Sequence, residues 1–154
     1  MAKDPIRPTD NESRALARKL IQEARFGALA TLLDGAPFVT RIALAPEQGS
    51  FLTLISDLAT HTQALRANPA GSLLIGEPGP KGDPLTHPRM TLQVQADFQK
   101  KSKVLADAYL CHQPKAQLYI GFGDFHIVRL TPEEAFLNAG FGKAYRLVPE
   151  DFTR

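Results

Sequence analysis

The sequence predicts a small antiparallel β-barrel with flanking helices, an α+β domain. Three observations predict it. Asp34-Gly35 lies between two apolar runs, a strong signal for a tight hairpin. About six or seven strand-like segments follow one another, the early ones through tight hairpins, and tight hairpins require antiparallel pairing. About three segments read as helices, and a barrel capped by helices suits that count better than a doubly wound parallel sheet.

The elements follow in order. Residues 1–8 are expected to be a flexible N-terminal arm, with one domain over 9–154. Thr9-Asp10-Asn11-Glu12 has the spacing of a capping box. A helix should follow with Leu16, Leu20, Ile21 and Ala24 on one face, ended by Phe26-Gly27. Strands are expected over 28–33 and 37–44, then over 51–55 after a turn at 46–50. A short helix should occupy 58–67 and a fourth strand 72–76. Residues 77–88 are too dense in Pro and Gly for regular structure and form a long loop, a feature that is often functional or mobile. A long strand returns over 89–100, with Met90, Leu92, Val94 and Ala96 alternating. Ser102 can cap a helix reaching His112, with Val104, Leu105, Ala108 and Tyr109 inward. Apolar segments follow at 118–122 and 125–130. Thr131-Pro132-Glu133-Glu134 reads as a turn or short helix start, and 135–138 as a last strand. The tail 140–146 is glycine-spaced, cationic and aromatic.

Composition excludes several classes. The chain has 154 residues, the length of one domain. No apolar run approaches a membrane span, and the first residues lack the apolar core of a signal peptide. One cysteine, Cys111, precludes an internal disulfide and suits a reducing cytoplasm. A net charge of +2 is too small to argue for nucleic acid, yet leaves room for a local basic pocket.

The chemistry concentrates in residues 55–69. An apolar strand breaks into Ser56, Asp57, Thr60, His61 and Thr62, and a short helix then ends at Asn68-Pro69. Backbone N–H groups at a helix start are unpaired and partly positive, which suits a phosphate. The other candidates are weaker. His87 in the long loop is either structural or a ligand contact. His112 beside Cys111 points in a different direction on its helix, and no second pair has metal spacing. His126 alternates on a strand and is expected to be exposed. Cys111 has no obvious cation to activate it. No Gly-x-Ser-x-Gly turn supports a hydrolase triad, and Gly121-Phe122-Gly123 is no dinucleotide fingerprint.

Three motifs in order carry a family resemblance. They are Ile55-Ser56-Asp57-Leu58-Ala59-Thr60-His61-Thr62, Gly82-Asp83-Pro84-Leu85-Thr86-His87-Pro88-Arg89-Met90-Thr91-Leu92, and Gly140-Phe141-Gly142-Lys143-Ala144-Tyr145-Arg146-Leu147. With the 28–41 hairpin they resemble the split-barrel flavin-binding proteins related to pyridoxamine 5′-phosphate oxidase, nearest the haem-utilisation branch. The resemblance implies a six-stranded antiparallel split barrel of the FMN-binding type. It also implies a homodimer with FMN at the subunit interface. Arg41 takes the place of an arginine meeting the flavin phosphate, and Ile55 and Ser56 stand at the strand end near the flavin. Thr60, His61 and Thr62 stand where the oxidases place an Arg-Lys pair, replacing fixed charge with hydrogen bonds and a pH-dependent charge. Arg89 opens a strand facing the cofactor, and Phe141 and Lys143 would close over a planar ring.

The oxidases carry a C-terminal tryptophan and an Arg/His signature. This chain has no tryptophan, so it is not expected to oxidise pyridoxamine phosphate. The haem-utilisation proteins often carry a second domain or a histidine tail that ligates haem iron; neither is expected here, which weakens the expectation of haem binding or cleavage. The first expectation is thus an FMN-binding flavoprotein, as an enzyme an oxidoreductase whose flavin carries the electrons, with no residue marked as its acid or base. The alternative is a haem or tetrapyrrole-binding protein, or a flavin carrier or sensor without turnover.

Overall fold

A computed structural model describes residues 4–153. They run β1 (Ile6–Arg7), α1 (Asn11–Glu23), β2 (Phe26–Leu33), β3 (Ala36–Ala43), β4 (Ala45–Glu47), β5 (Ser50–Ser56), α2 (Thr60–Ala67), β6 (Ala70–Ile75), β7 (Arg89–Phe98), α3 (Lys103–His112), β8 (Phe125–Asn138) and β9 (Ala144–Leu147), with single 3-10 turns between some of them. Of the expected N-terminal arm, residues 1–3 lie outside the described residues. Ile6 and Arg7 pair in parallel with Ala144 and Tyr145, so this part of the segment is a short strand.

The sheet has nine strands, not six, and is mixed because β1 runs parallel to β9. Its antiparallel path is β3-β2-β6-β7-β8-β5. It does not close: among the described residues no backbone ladder joins β5 to β3. A side chain bridges the gap instead, with Thr53 Oγ1 donating to the Ala43 carbonyl at 2.7 Å. The first half of β8 pairs with β5 and the second half with β9, while β7 runs beside both. This sharing splits the barrel.

The β2–β3 hairpin forms as expected. Asp34 and Gly35 are both left-handed, with φ 51° and 79°, as a two-residue primed turn requires. A second such turn at Gln48-Gly49 pairs β4 with β5, where only a turn was expected. Pro46 tolerates the strand because β4 pairs on one side alone. The expected turn at Thr131–Glu134 is strand as well. Pro132 sits opposite Val94, where the register shifts by a bulge, and a bulge accommodates a residue lacking its N–H.

The α1 cap shifts by one residue from Thr9/Glu12 to Asp10/Ser13. Asp10 Oδ1 accepts from Ser13 N at 2.7 Å, and Ser13 Oγ accepts from Asp10 N at 3.0 Å. Aspartate caps as well as threonine does, and Thr9 Oγ1 instead donates to the Arg146 carbonyl at 3.3 Å. Ser102 caps α3 as predicted, accepting from Leu105 N at 3.2 Å. Tyr109 is buried beneath α3, whereas Val104 is exposed, contrary to expectation.

The main core lies on the inner sheet face, where Leu29, Phe51, Leu73, Met90 and Leu130 meet Ala17 of α1 and Leu65 of α2. A second cluster, with Leu52, Tyr109 and Ile127, lies under α3. Burying such side chains stabilises the fold by roughly 1.5–3 kcal/mol each before the entropy of ordering is subtracted.

Candidate functional site

The strand end of β5 passes through Ser56-Asp57 into α2. The N-cap of α2 is Ala59, which has no side-chain oxygen, so neither Thr60 nor Thr62 caps the helix. Thr62 is wholly buried, and its Oγ1 donates to the Ser56 carbonyl at 2.6 Å. This bond ties the helix to the strand and turns Thr62 away from any ligand. Ile55 is also buried, within the core. Thr60 is exposed at the first helical position. His61 is partly buried, with Nδ1 at 2.9 Å from Thr40 Oγ1. Burial lowers its pKa from the ordinary 6.5, so the ring is mainly neutral at pH 7. The first N–H groups of α2 have no side-chain acceptor. Ser56 Oγ accepts from Leu58 N at 3.1 Å and donates to Asp124 Oδ2 at 3.4 Å.

A polar network behind this turn has no counterpart in the sequence reading. Asp57 Oδ1 accepts from His126 Nε2 at 2.8 Å and from Arg66 Nη2 at 3.1 Å. The Arg66 guanidinium lies 4.4 Å from the centre of the Phe98 ring, which meets His126 edge-on. The His126 hydrogen bond, then Arg66, holds the Asp57 carboxyl below its ordinary value. His126 is therefore a paired, partly covered side chain, where an exposed one was expected. Strand alternation shows which face a residue takes, but not a partner 69 positions away.

Arg41 does not join His61. Thr40 and Arg41 are adjacent on β3, so their side chains leave opposite faces of the sheet. Thr40 meets His61 on the inner side, across from buried Leu29, whereas Arg41 stands on the outer side, 5.7 Å from the centre of the Phe26 ring. The expected phosphate grip of Arg41, Thr60, His61 and Thr62 is thus divided in a single protomer.

The outer face is a second candidate site. Strand register lines up Arg41, Ala28, Leu74, Thr91, Phe136 and Arg146 in one row across six strands. Exposed apolar side chains lie along it, including Phe26 and Leu74 at 44% and Val39 at 62%. A cleft of about 200 Å³ opens between Phe26, Arg41, Leu74 and Gly76. A second, of about 240 Å³, opens beyond Leu74 between Arg89, Phe136 and Asn138. The face therefore joins two of the expected residues, Arg41 and Arg89, with Leu74 between them. Arg146 stacks over Phe136 and pairs with Glu134. The signal for this face lies in the small or apolar residues at alternate positions of β2, without the polar alternation that marks an exposed face.

Phe141 and Lys143 occupy the exposed β8–β9 turn, where Phe141 is 90% exposed and covers nothing within its own chain. His87 is structural: both ring nitrogens bond within its own loop. Cys111 is exposed and free. No group of three or more metal-ligating side chains occurs among the described residues.

The family model described as pyridoxamine 5′-phosphate oxidase matches residues 14–139. The chain is 31% identical over 142 residues to the haem oxygenase HutZ of Vibrio cholerae, covering 84% of this chain and 78% of that one. It is 34% identical over 117 residues to the chloroplastic non-canonical haem oxygenase HOZ of Arabidopsis thaliana, covering 73% of this chain but only 35% of HOZ. A haem-binding protein from Mycobacterium smegmatis superposes with a TM-score of 0.84 at 26% identity, over 96% of this chain and 61% of that one. The protein belongs to the split-barrel family related to pyridoxamine 5′-phosphate oxidase, on its haem-utilisation branch.

Proposed function

We propose that this protein binds haem and serves haem utilisation, as a homodimer whose apposed sheet faces complete the ligand site. The observation that carries the reading is the outer face, where exposed apolar side chains lie between Arg41 on β3 and Arg89 on β7. A tetrapyrrole asks for an apolar bed and for cations near its carboxylates. The relatives support the same choice, since the names of HutZ, HOZ and the mycobacterial protein all refer to haem. A self-complementary apolar face also suits a two-fold dimer, which would cover Phe26, Val39 and Leu74. A cytoplasmic setting is part of the proposal; no helix among the described residues is long and apolar enough to cross a membrane.

The fit extends to the porphyrin edge and stops there. Haem iron needs an axial ligand, and none of the four histidines lies on the outer row. His61 faces Thr40, His126 faces Asp57, His87 is spent in its loop, and His112 lines a cleft with Arg18 and Gln48. Bound haem would supply the redox-active iron, while this chain supplies the apolar bed and the guanidinium groups.

FMN is the second reading, favoured by the uncapped start of α2, whose N–H groups suit a phosphate. In that reading Thr60 and His61 face the phosphate, Ser56 the flavin, and the second copy adds Arg41, Arg89, Phe141 and Lys143. The protein would then be a flavin-dependent oxidoreductase or a flavin carrier. Titration with hemin and, separately, with FMN decides between them. A saturable shift of the Soret band supports haem. No such shift, with FMN alone raising the melting temperature, replaces it by the second reading. Light scattering during gel filtration should give twice the chain mass, and a monomer would remove the dimer from both.

A further inference from the structure

The loop between β6 and β7 is closed by one imidazole. His87 Nδ1 accepts from Gly79 N at 3.2 Å, and Nε2 stands 2.7 Å from the Lys81 carbonyl, to which it must donate. Both bonds reach from the returning arm of the loop to the outgoing arm. The two contacts require the neutral ring with its proton on Nε2. The packing is close, because a Cβ on Gly79 would stand 3.2 Å from His87 Cε1. The rest of the returning arm is held independently of the ring. Asp83 Oδ1 accepts from Leu85 N at 2.9 Å, Thr86 Oγ1 donates to the Asp83 carbonyl at 2.7 Å, and Arg89 Nη1 donates to the Leu85 carbonyl at 2.9 Å.

We propose that His87 is a proton-operated latch that holds the outgoing arm, Glu77 to Lys81, against the returning arm, and so sets the edge of the cleft beside Phe26 and Arg41. Protonation turns Nδ1 into a donor. It then faces the Gly79 N–H, another donor, and that bond is replaced by repulsion. The Lys81 bond survives, because Nε2 is a donor in both states. The outgoing arm therefore loosens at Gly79 while the returning arm stays in place. Glu77 and Pro78 line the cleft that contains Arg41, so loosening changes its rim. The charged residues of the loop and of the elements beside it are Glu77, Lys81 and Asp83 in the loop, Arg89 on β7, whose Nη1 donates to the His87 carbonyl at 3.3 Å, and Lys143 on the β8–β9 turn. That turn packs against the loop, with Gly140 beside the Thr86 carbonyl. The latch does not depend on which ligand the protein takes.

The test follows the Gly79 amide and the His87 ring nitrogens by NMR from about pH 8 to pH 5, the range in which imidazoles take up a proton. At the upper end the ring should show the Nε2–H tautomer. On acidification the Gly79 signal should move with the same midpoint as the ring, and its exchange protection, corrected for intrinsic rates, should fall about tenfold, the worth of one such bond. His87→Gln offers an acceptor and a donor without titrating, so its Gly79 signal should stay flat. His87→Ala removes both bonds, so its Gly79 amide should lack the extra protection at every pH. A wild-type Gly79 signal that ignores the His87 titration overturns the proposal, as does a His87→Gln signal that titrates like wild type.

Discussion

Gly76→Ala tests the neck of the same loop and can be worked out in advance. Gly76 ends β6 with φ +96°, a conformation that side-chain-bearing residues adopt at a cost of about 1–2 kcal/mol. A Cβ there would stand 2.6 Å from the Pro88 carbonyl oxygen and 2.7 Å from Arg89 Cα. Both atoms are backbone and cannot swivel away, and 2.6 Å falls about 0.8 Å short of ordinary contact. Overpacking of this kind costs about 1–3 kcal/mol. The two effects together give about 3 kcal/mol. Gly82→Ala is the control, because its φ is +80° yet nothing lies within 4 Å of the added carbon. It should lose only the conformational part, about 1–2 kcal/mol. For a chain of this size each kcal/mol moves the melting temperature by about 2–4 °C. Gly76→Ala should therefore melt about 6–12 °C below wild type, and Gly82→Ala about 2–8 °C below. Paired calorimetric scans read both. Equal shifts would refute the claim that the two arms of the loop are pressed together at its neck.

Four further outcomes are expected. Thr62→Val keeps the shape of a wholly buried side chain but removes one of the two bonds to the Ser56 carbonyl, which still accepts from Ala59 N at 3.0 Å. Urea unfolding should show a loss of about 0.5–1.5 kcal/mol, and an unchanged stability would remove Thr62 from its role as the tie between α2 and β5. Arg41→Ala should leave the unfolding free energy in urea within about 1 kcal/mol of wild type, since its aromatic contact is exposed, yet weaken hemin binding about tenfold in a Soret titration. If FMN is the ligand instead, the same variant should weaken FMN more than riboflavin, and equal weakening would move Arg41 away from the phosphate. Val39→Asp places a charge on the outer face, so gel filtration should show the dimer shifting to monomer; an intact dimer would put the interface elsewhere.

The last outcome concerns acid. Hydrogen bonds from the Ser13 backbone and hydroxyl hold the Asp10 carboxyl below its ordinary 3.8, and the Val148 backbone does the same for Asp151, with help from Arg14. Their folded pKa values lie below the unfolded ones. The native state therefore binds fewer protons there, and the stability these groups contribute is complete above the unfolded value and drains away as pH falls through the folded one. Asp10→Asn still caps α1 but cannot titrate, so its urea midpoint should fall less between pH 5 and pH 3 than that of wild type.

Local chemistry carried much of the fold into the sequence. The Asp34-Gly35 turn, the Ser102 cap and the alternation of Met90, Leu92 and Val94 each act within a few residues, and all three are present in the folded chain. Strand pairing between distant residues was less legible. Pro132 looked like a breaker until its bulge opposite Val94 made the 14-residue β8 possible. Ile6 and Arg7 looked like loose chain until Ala144 and Tyr145 were beside them.

The candidate site divides in the same way. The motifs at 55–62, 82–92 and 140–147 identified the family, because a family signature is a property of order along the chain. Which of their side chains meet is a property of faces. Two neighbours on a strand point in opposite directions, so Thr40 went inward to His61 and Arg41 outward to Phe26. Register then carried Arg41 across the sheet to share an apolar face with Arg89. The sequence by itself determined the Asp34-Gly35 turn, the Ser102 cap and the family. Only the tertiary structure decided that the expected phosphate grip is split between two faces and that Arg41 and Arg89 share the outer one, because strand register and alternation act at distances along the chain that no local pattern reports.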